Sequence, residues 1–357
     1  MKHLNSPMKH LKSLALALSA LTLTAAATTA MAQTQVLNLY SARHYASDEI
    51  IFNEFTRTTG IRINRIEADD AGILTRLRAE GAASPADVVL MVDAARLARA
   101  DAEGLFQPIR SAALDAAIPA HLRAAATPDG VTWTGFSKRA RVIAYDPLRV
   151  RAEDVQTYEQ LADPKLRGML CSRSGSHPYN LSLFATVVER LGDQAGEAWL
   201  QGLVNNLARQ PVGGDTDQIR AVASGECAVA ITNSYYAARL LRSDRPADRA
   251  VMERVRIVHP NQATTGTHVN IAGGAVARHA PNRDNAIKFM EFLATPFAQE
   301  YFANGNNEYA TANGVTINNP ALTALGGENF KQETIPLAVV AQNLTKIQQM
   351  LDRVRFR

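Results

Sequence analysis

The stretch ITNSYYAARLL, residues 231–241, sets Tyr235 and Tyr236 side by side behind Asn233 and Ser234. Two other short stretches carry a tyrosine in unusual company. SARHYAS (41–47) holds His44 and Tyr45, and SRSGSHPYN (172–180) holds Arg173, His177 and Tyr179. The chain has nine tyrosines, and four of them fall in these three places. A phenol has a pKa of about 10, so it serves as an oxyanion only where a strong positive charge holds the ionised form. A hard trivalent cation does this, and three or four phenolates offset its charge. The preference for hard oxygen excludes Cu(I), and the sequence shows no carboxylate cluster of the kind calcium wants. Ferric iron fits best. Half-buried packing is the bland reading of an isolated Tyr-Tyr pair.

At the start of a helix, adjacent side chains diverge by about 100°. One ion beyond the helix end would then accept both the Tyr235 and Tyr236 oxygens, with Asn233 or Ser234 as the N-cap. His44, beside Tyr45, is a candidate fifth ligand. His177 reads as a loop residue behind the ligands. Arg43, Arg139, Arg141 and Arg173 would orient phenolates, lower their pKa, or hold a companion anion through paired N–H donors.

These residues must be positioned by an alternation of strands and helices. QVLNLYS (35–41), IRINRIEA (61–68) and ADVVLMVD (86–93) read as strands. Between them SDEIIFNEFTRTTG reads as a helix with Ser47 as N-cap and a stop at Gly60, and AGILTRLRAEG as a second helix. That pattern implies a mostly parallel sheet, with ligands beyond the carboxyl ends of the strands. WTGFSKRARVIAYDP (133–147) is a long extended run suited to cross into a second α/β unit, and HVNIAGGAVARHA suits the return. The expected layout is a first lobe of residues 33–138 plus 270–357 and a second of 139–269. Helices from about 282 to 304 and near 335–353 are expected to pack back on the first lobe. The chain holds neither a nucleotide-binding glycine loop nor a Gly-x-Ser-x-Gly or His-Glu-x-x-His motif, so it reads as a binder and not an enzyme.

The N-terminus has a different character. MKHLNSPMKHLKS carries three lysines and no acid, LALALSALTLTAAATTA is apolar, and Ala30 and Ala32 fit the small-x-small cleavage rule. A secretory signal peptide cut after Ala32 is expected, with Met8 as an alternative start. Removing Lys2, Lys9 and Lys12 lowers the formal charge from +4 to +1, so nucleic acid is not an expected partner. Nothing beyond the N-terminus is long and apolar enough to span a bilayer. Cys171 and Cys227 are the only cysteines; an even pair in an exported chain suggests a disulfide.

At these residues the sequence resembles the periplasmic ferric-ion-binding proteins of ABC-type iron importers, sometimes called bacterial transferrins. The likeness runs through LNLYSARHY, DVVLMVDAARL, SKRARVIAYDP, RSGSHPYNLSL, ASGECAVAITNSYYAARL, THVNIAGGAV and LDRVRFR. It implies a two-lobed α/β type II periplasmic binding protein with a hinge, and one ferric ion in the interlobe cleft. Carried over by position, Tyr45, Tyr179, Tyr235 and Tyr236 would be metal ligands, with His44 at a position where some members use a histidine. Arg43, Arg141 and Arg173 would support the site or hold an anion, and carbonate or water would complete the shell. The implied partners are a membrane permease and its ATPase, and a monomer is expected. The alternative is a binder of an organic cation or oxyanion, such as a polyamine or phosphonate, with the tyrosines as stacking platforms.

Overall fold

The computed structural model describes residues 35–357 apart from 44, 46 and 47. The expected signal peptide and its cleavage site, the ligand candidate His44 and the N-cap candidate Ser47 therefore lie outside the described residues. Among those described, nine strands form one continuous sheet in the order Arg62–Glu67 (β2), Val36–Ser41 (β1), Val88–Met91 (β3), Val269–Val276 (β8), Trp133–Tyr145 (β4), Val229–Asn233 (β6) and Leu170–Cys171 (β5), with Arg256–Val258 (β7) and Tyr309–Ala310 (β9) also pairing with β4.

The first half follows the alternation in the sequence. Strands β1 (Val36–Ser41), β2 (Arg62–Glu67) and β3 (Val88–Met91) are parallel, with β1 in the middle. Helix α1 (Glu49–Thr59) links β1 to β2 and stops at Gly60, whose φ of 72° is the left-handed conformation that glycine accepts without strain. Helix α2 (Asp70–Glu80) is capped by Asp69, which accepts from the N–H of Gly72. Helix α3 (Ala94–Ala102) is capped by Asp93, which accepts from the N–H groups of Ala95 and Arg96.

Strand β4 (Trp133–Tyr145) belongs to both halves. Trp133–Ala140 pairs antiparallel with β8 (Val269–Val276), and Arg141–Tyr145 pairs antiparallel with β6 (Val229–Asn233). The Gly273-Gly274 pair in β8 serves this crossing: a Cβ on Gly273 would lie 2.6 Å from the Thr134 carbonyl oxygen of β4. In the second half, β5 (Leu170–Cys171) runs parallel to β6, flanked by α5 (Pro178–Leu191), α6 (Asp193–Asn206), α7 (Asp215–Ser224) and α8 (Ser234–Leu241). The short α4 (Ala112–Ala117) and α9 (Pro246–Arg254) complete this count up to β8.

Each half has its own apolar core. Leu39, Phe55, Val88, Phe136, Ile271 and Phe289 lie in the first, and Ile143, Phe184, Trp199, Val229 and Ile231 in the second. The region near 282–304 is two helices, α10 (Arg283–Leu293) and α11 (Pro296–Asn304), the second opened by a proline at its first position. After α12 (Pro320–Ala324), the final helix α13 (Leu337–Val354) packs on the second half as well as on the first. It lies against both α3 and α5, and its buried Val340, Ile347, Met350 and Leu351 join the second core. Its apolar stripe thus finds its partner on the second half and ties the two together.

Cys171 and Cys227 are joined by a disulfide with their Cα atoms 5.8 Å apart. The bond fastens the end of β5 to the segment leading into β6, and both residues are completely buried.

Candidate metal centre

The three tyrosine stretches meet between the halves. Tyr45 lies four residues beyond the end of β1. Tyr179 is the second residue of α5, and Tyr235 and Tyr236 occupy the first turn of α8. The Tyr235 hydroxyl lies 3.3 Å from that of Tyr45 and 3.3 Å from that of Tyr179. Three phenol oxygens from three segments thus adjoin one another, and Tyr236 packs directly against Tyr235. The rings of Tyr235 and Tyr236 do not splay as the helical angle implies. Their centroids are 4.2 Å apart and their planes differ by only 31°.

Local folding explains these positions. His177 is the N-cap of α5, its Nδ1 accepting from the N–H of Tyr179 at 3.2 Å, while Pro178 fills the first helical position. The His177 ring also packs edge-on against Tyr179, 4.6 Å between centroids. So His177 fixes the helix that presents Tyr179. Asn233 holds the N-cap position of α8, yet neither its side chain nor that of Ser234 caps the helix. The Asn233 side-chain oxygen accepts from Arg141 instead, and the Ser234 hydroxyl accepts from the N–H of Ala140.

Arginines frame the phenols. The guanidinium carbon of Arg43 is 5.0 Å from the Tyr45 ring, and those of Arg139 and Arg173 are each 5.1 Å from the Tyr179 ring. These cations are themselves held. Arg43 is buried and pairs with Asp48 at 2.7 Å and Glu308 at 3.0 Å. Arg141 and Arg173 share one carboxylate, the fully buried Asp215, which also accepts from the N–H of Asn233. Arg139 donates to the Val92 carbonyl. Positive charge close to a phenol favours its ionised form, and the first turns of α5 and α8 add the positive ends of their helix dipoles.

Without a bound cation the balance runs the other way. Burial, then the neighbouring Tyr179 and Glu308, hold the Tyr45 phenol well above its usual range. Burial and then Tyr179 and Tyr45 do the same to Tyr235. Tyr236 is pushed up to about 12 by burial and then by Tyr179. Tyr45, Tyr235 and Tyr236 are thus neutral phenols in a frame of cations, prepared to lose protons when a strong positive charge arrives.

Sequence reasoning missed three contributors. Arg239 lies within 6 Å of the Tyr45, Tyr235 and Tyr236 rings, and its spacing was legible, since it follows Tyr235 by four residues and Tyr236 by three on one helix. Asp215 and Glu308 had no such signal, because their arginine partners are far away in sequence. Beside the phenols a cleft of about 800 Å³ is walled by Tyr45, Tyr236, Arg220, Arg239, Arg242 and Asn306. Among the described residues no group of three or more His, Cys, Asp or Glu is suited to hold a metal, so the phenols are the donors this cleft offers.

The model of the bacterial extracellular solute-binding protein family matches residues 51–324. Iron uptake protein A1 of Synechocystis sp. is 45% identical over 91% of this chain and 88% of its own length. The solved structure of Trichodesmium IdiA (FutA) in complex with iron and citrate is 45% identical, with a TM-score of 0.83 over 90% of this chain and all of its own. A ferric binding protein from Campylobacter jejuni is 37% identical, with a TM-score of 0.84 over 90% of this chain and all of its own.

Proposed function

The chain belongs to the bacterial extracellular solute-binding proteins, and from that premise we propose that it captures ferric iron between its two lobes and delivers it to an ABC permease. The observation that carries this reading is the contact of the Tyr235 hydroxyl with those of both Tyr45 and Tyr179 at 3.3 Å. Tyr45, Tyr179, Tyr235 and Tyr236 are the proposed ligands, with His44 as a further candidate. The fold is the two-lobed α/β architecture of type II periplasmic binding proteins, as in the related ferric-binding structures.

Each protein group has a part. Tyr179 and the Tyr235–Tyr236 pair sit on helix first turns of the second lobe and take the ion first. Tyr45 then closes on it from the first lobe. Closure hinges where β4 and β8 pass between the lobes, near residues 139 and 269. The arginine frame favours the phenolates formed as protons leave, and Asp215, Asp48 and Glu308 hold that frame in place. The scheme asks only for ligand exchange on the iron and proton loss from the phenols, with no covalent change in the cargo, so the chain acts without catalysis. Carbonate, water or the carboxylates of a chelator complete the shell; the Trichodesmium protein holds iron together with citrate.

The relatives are iron proteins, which does not favour the organic-cation or oxyanion reading. The acids near the site are also committed to arginines and do not form an anionic cage for a polyamine. Export to the periplasm and work as a monomer complete the proposal. Metal analysis after dialysis against a ferric chelate tests it: one iron per chain is expected, lost in Tyr179→Phe. Full retention of iron in that variant would contradict the ligand set.

A further inference from the structure

A second cavity lies on the hinge itself, and it shares no residue with the tyrosine cleft. It holds about 400 Å³ and is walled mainly by apolar side chains, among them Leu122, Trp133, Val269, Ile271, Ile335 and Leu337. Its walls come from residues 120–125 and from three further chain passages. Two are β4 and β8. The third is the run 331–337, tied to Thr267 by backbone hydrogen bonds of 2.8 and 2.9 Å before the chain enters α13.

Beside the cavity lies a polar recess of about 510 Å³, the two sharing His121, Leu122 and Gln332 as walls. Lys138 and Glu328 line this recess together. They sense each other electrostatically, yet among the described residues their side chains are not within 4.0 Å as an ion pair, and neither side chain has a hydrogen-bond partner there. Burial lowers the Lys138 pKa and raises that of Glu328, and the attraction between the two only partly offsets the lost water. Opposite charges left apart in one recess suit a ligand that carries both charges itself.

We propose that this hinge cavity binds a small zwitterion with an apolar side group, the chemistry of an apolar α-amino acid. Its carboxylate lies on Lys138, its ammonium on Glu328, and its side group against Trp133, Val269, Ile271 and Ile335. The volumes fall within the range of small-molecule sites. A simple carboxylic acid would leave Glu328 unanswered, and a simple amine would leave Lys138 so.

L-Phenylalanine is the probe, used on the mature chain from residue 33 with calorimetry for affinity and tryptophan emission for location. Saturable binding is expected, with an emission change that vanishes in Trp133→Phe while the calorimetric signal persists. Phenylacetate and phenethylamine, each lacking one charge, are expected to bind about tenfold more weakly or worse, as are Lys138→Met and Glu328→Gln with phenylalanine. Ferric binding is expected to survive both variants, which separates this site from the iron site. No saturable binding of phenylalanine, equal affinity for phenylacetate, an emission change that outlasts Trp133→Phe, or unaltered affinity in both charge variants would each overturn the proposal.

Discussion

The Tyr235 hydroxyl touches the Tyr45 hydroxyl at 3.3 Å, joining a residue just beyond β1 to one at the head of α8. In the proposed hinge-closing scheme this contact crosses between the lobes, so closure would complete the phenol cluster. Tyr179 and Tyr236 stay on the second lobe whatever the hinge does. Tyr45→Phe is therefore expected to leave the fast phase of ferric binding intact and to speed release by roughly tenfold to a hundredfold, the worth of one bond to a charged group. Stopped-flow absorbance checks this. Loss of the fast phase in that variant would reverse the proposed order of loading.

The raised phenol pKa values set a pH dependence. Tyr45 and Tyr235 are held well above 10 by burial and then by neighbouring phenols, and Tyr236 is pushed up to about 12, so all three are protonated near neutrality. Iron must displace those protons. Affinity is expected to rise with pH and fall on acidification, by up to about tenfold per pH unit for each proton displaced. Competition against a chelator of known protonation behaviour measures the slope. A flat profile would mean that the phenols do not ionise on binding.

Asp70, buried at the start of α2, gives a separate stability test. Burial, and then the charge of Asp93, raise its pKa to about 6. A carboxyl that binds its proton more tightly when folded helps stability below its unfolded pKa of about 4, and that help is lost as pH climbs through 6. Asp70→Asn keeps an acceptor for the Val92 N–H, which lies 3.3 Å away. It is expected to stabilise the protein by up to about 3 kcal/mol above pH 6 and hardly at all near pH 4. Denaturant titrations at the two pH values decide. Equal effects at both would mean that Asp70 titrates normally.

The disulfide spans 56 positions of sequence and is buried in the second half. Removing that constraint on the unfolded chain is expected to cost about 2–4 kcal/mol. Cys171→Ala/Cys227→Ala should unfold at correspondingly lower denaturant while still taking up one iron. Loss of iron binding in a variant that remains folded would show that the bond also positions α8.

Much of this was legible in the sequence because it is local. β1, α1, β2 and α2 announce themselves by alternation and glycine stops, and the tyrosines stand out by following strands. The long run 133–147 betrayed β4 by its length. Other features depend on contacts that spacing does not reveal. Asp215 serves Arg141 and Arg173 from more than forty residues away from either. Glu308 reaches Arg43 across 265 positions. The stripe on α13 showed that the helix has a partner but not which lobe supplies it. The backbone angle alone implies a splayed tyrosine pair, whereas the rings lie 4.2 Å apart and nearly alongside.

The central claim is that four phenols from two lobes converge on one metal. Ferric titration of the iron-free mature chain, followed by visible absorbance beside a Tyr235→Phe/Tyr236→Phe double variant, tests it most directly. The account expects a phenolate-to-iron charge-transfer band in the unaltered protein, saturating at one iron per chain and missing from the double variant. No such band in the unaltered protein, or the same band in both, would contradict it.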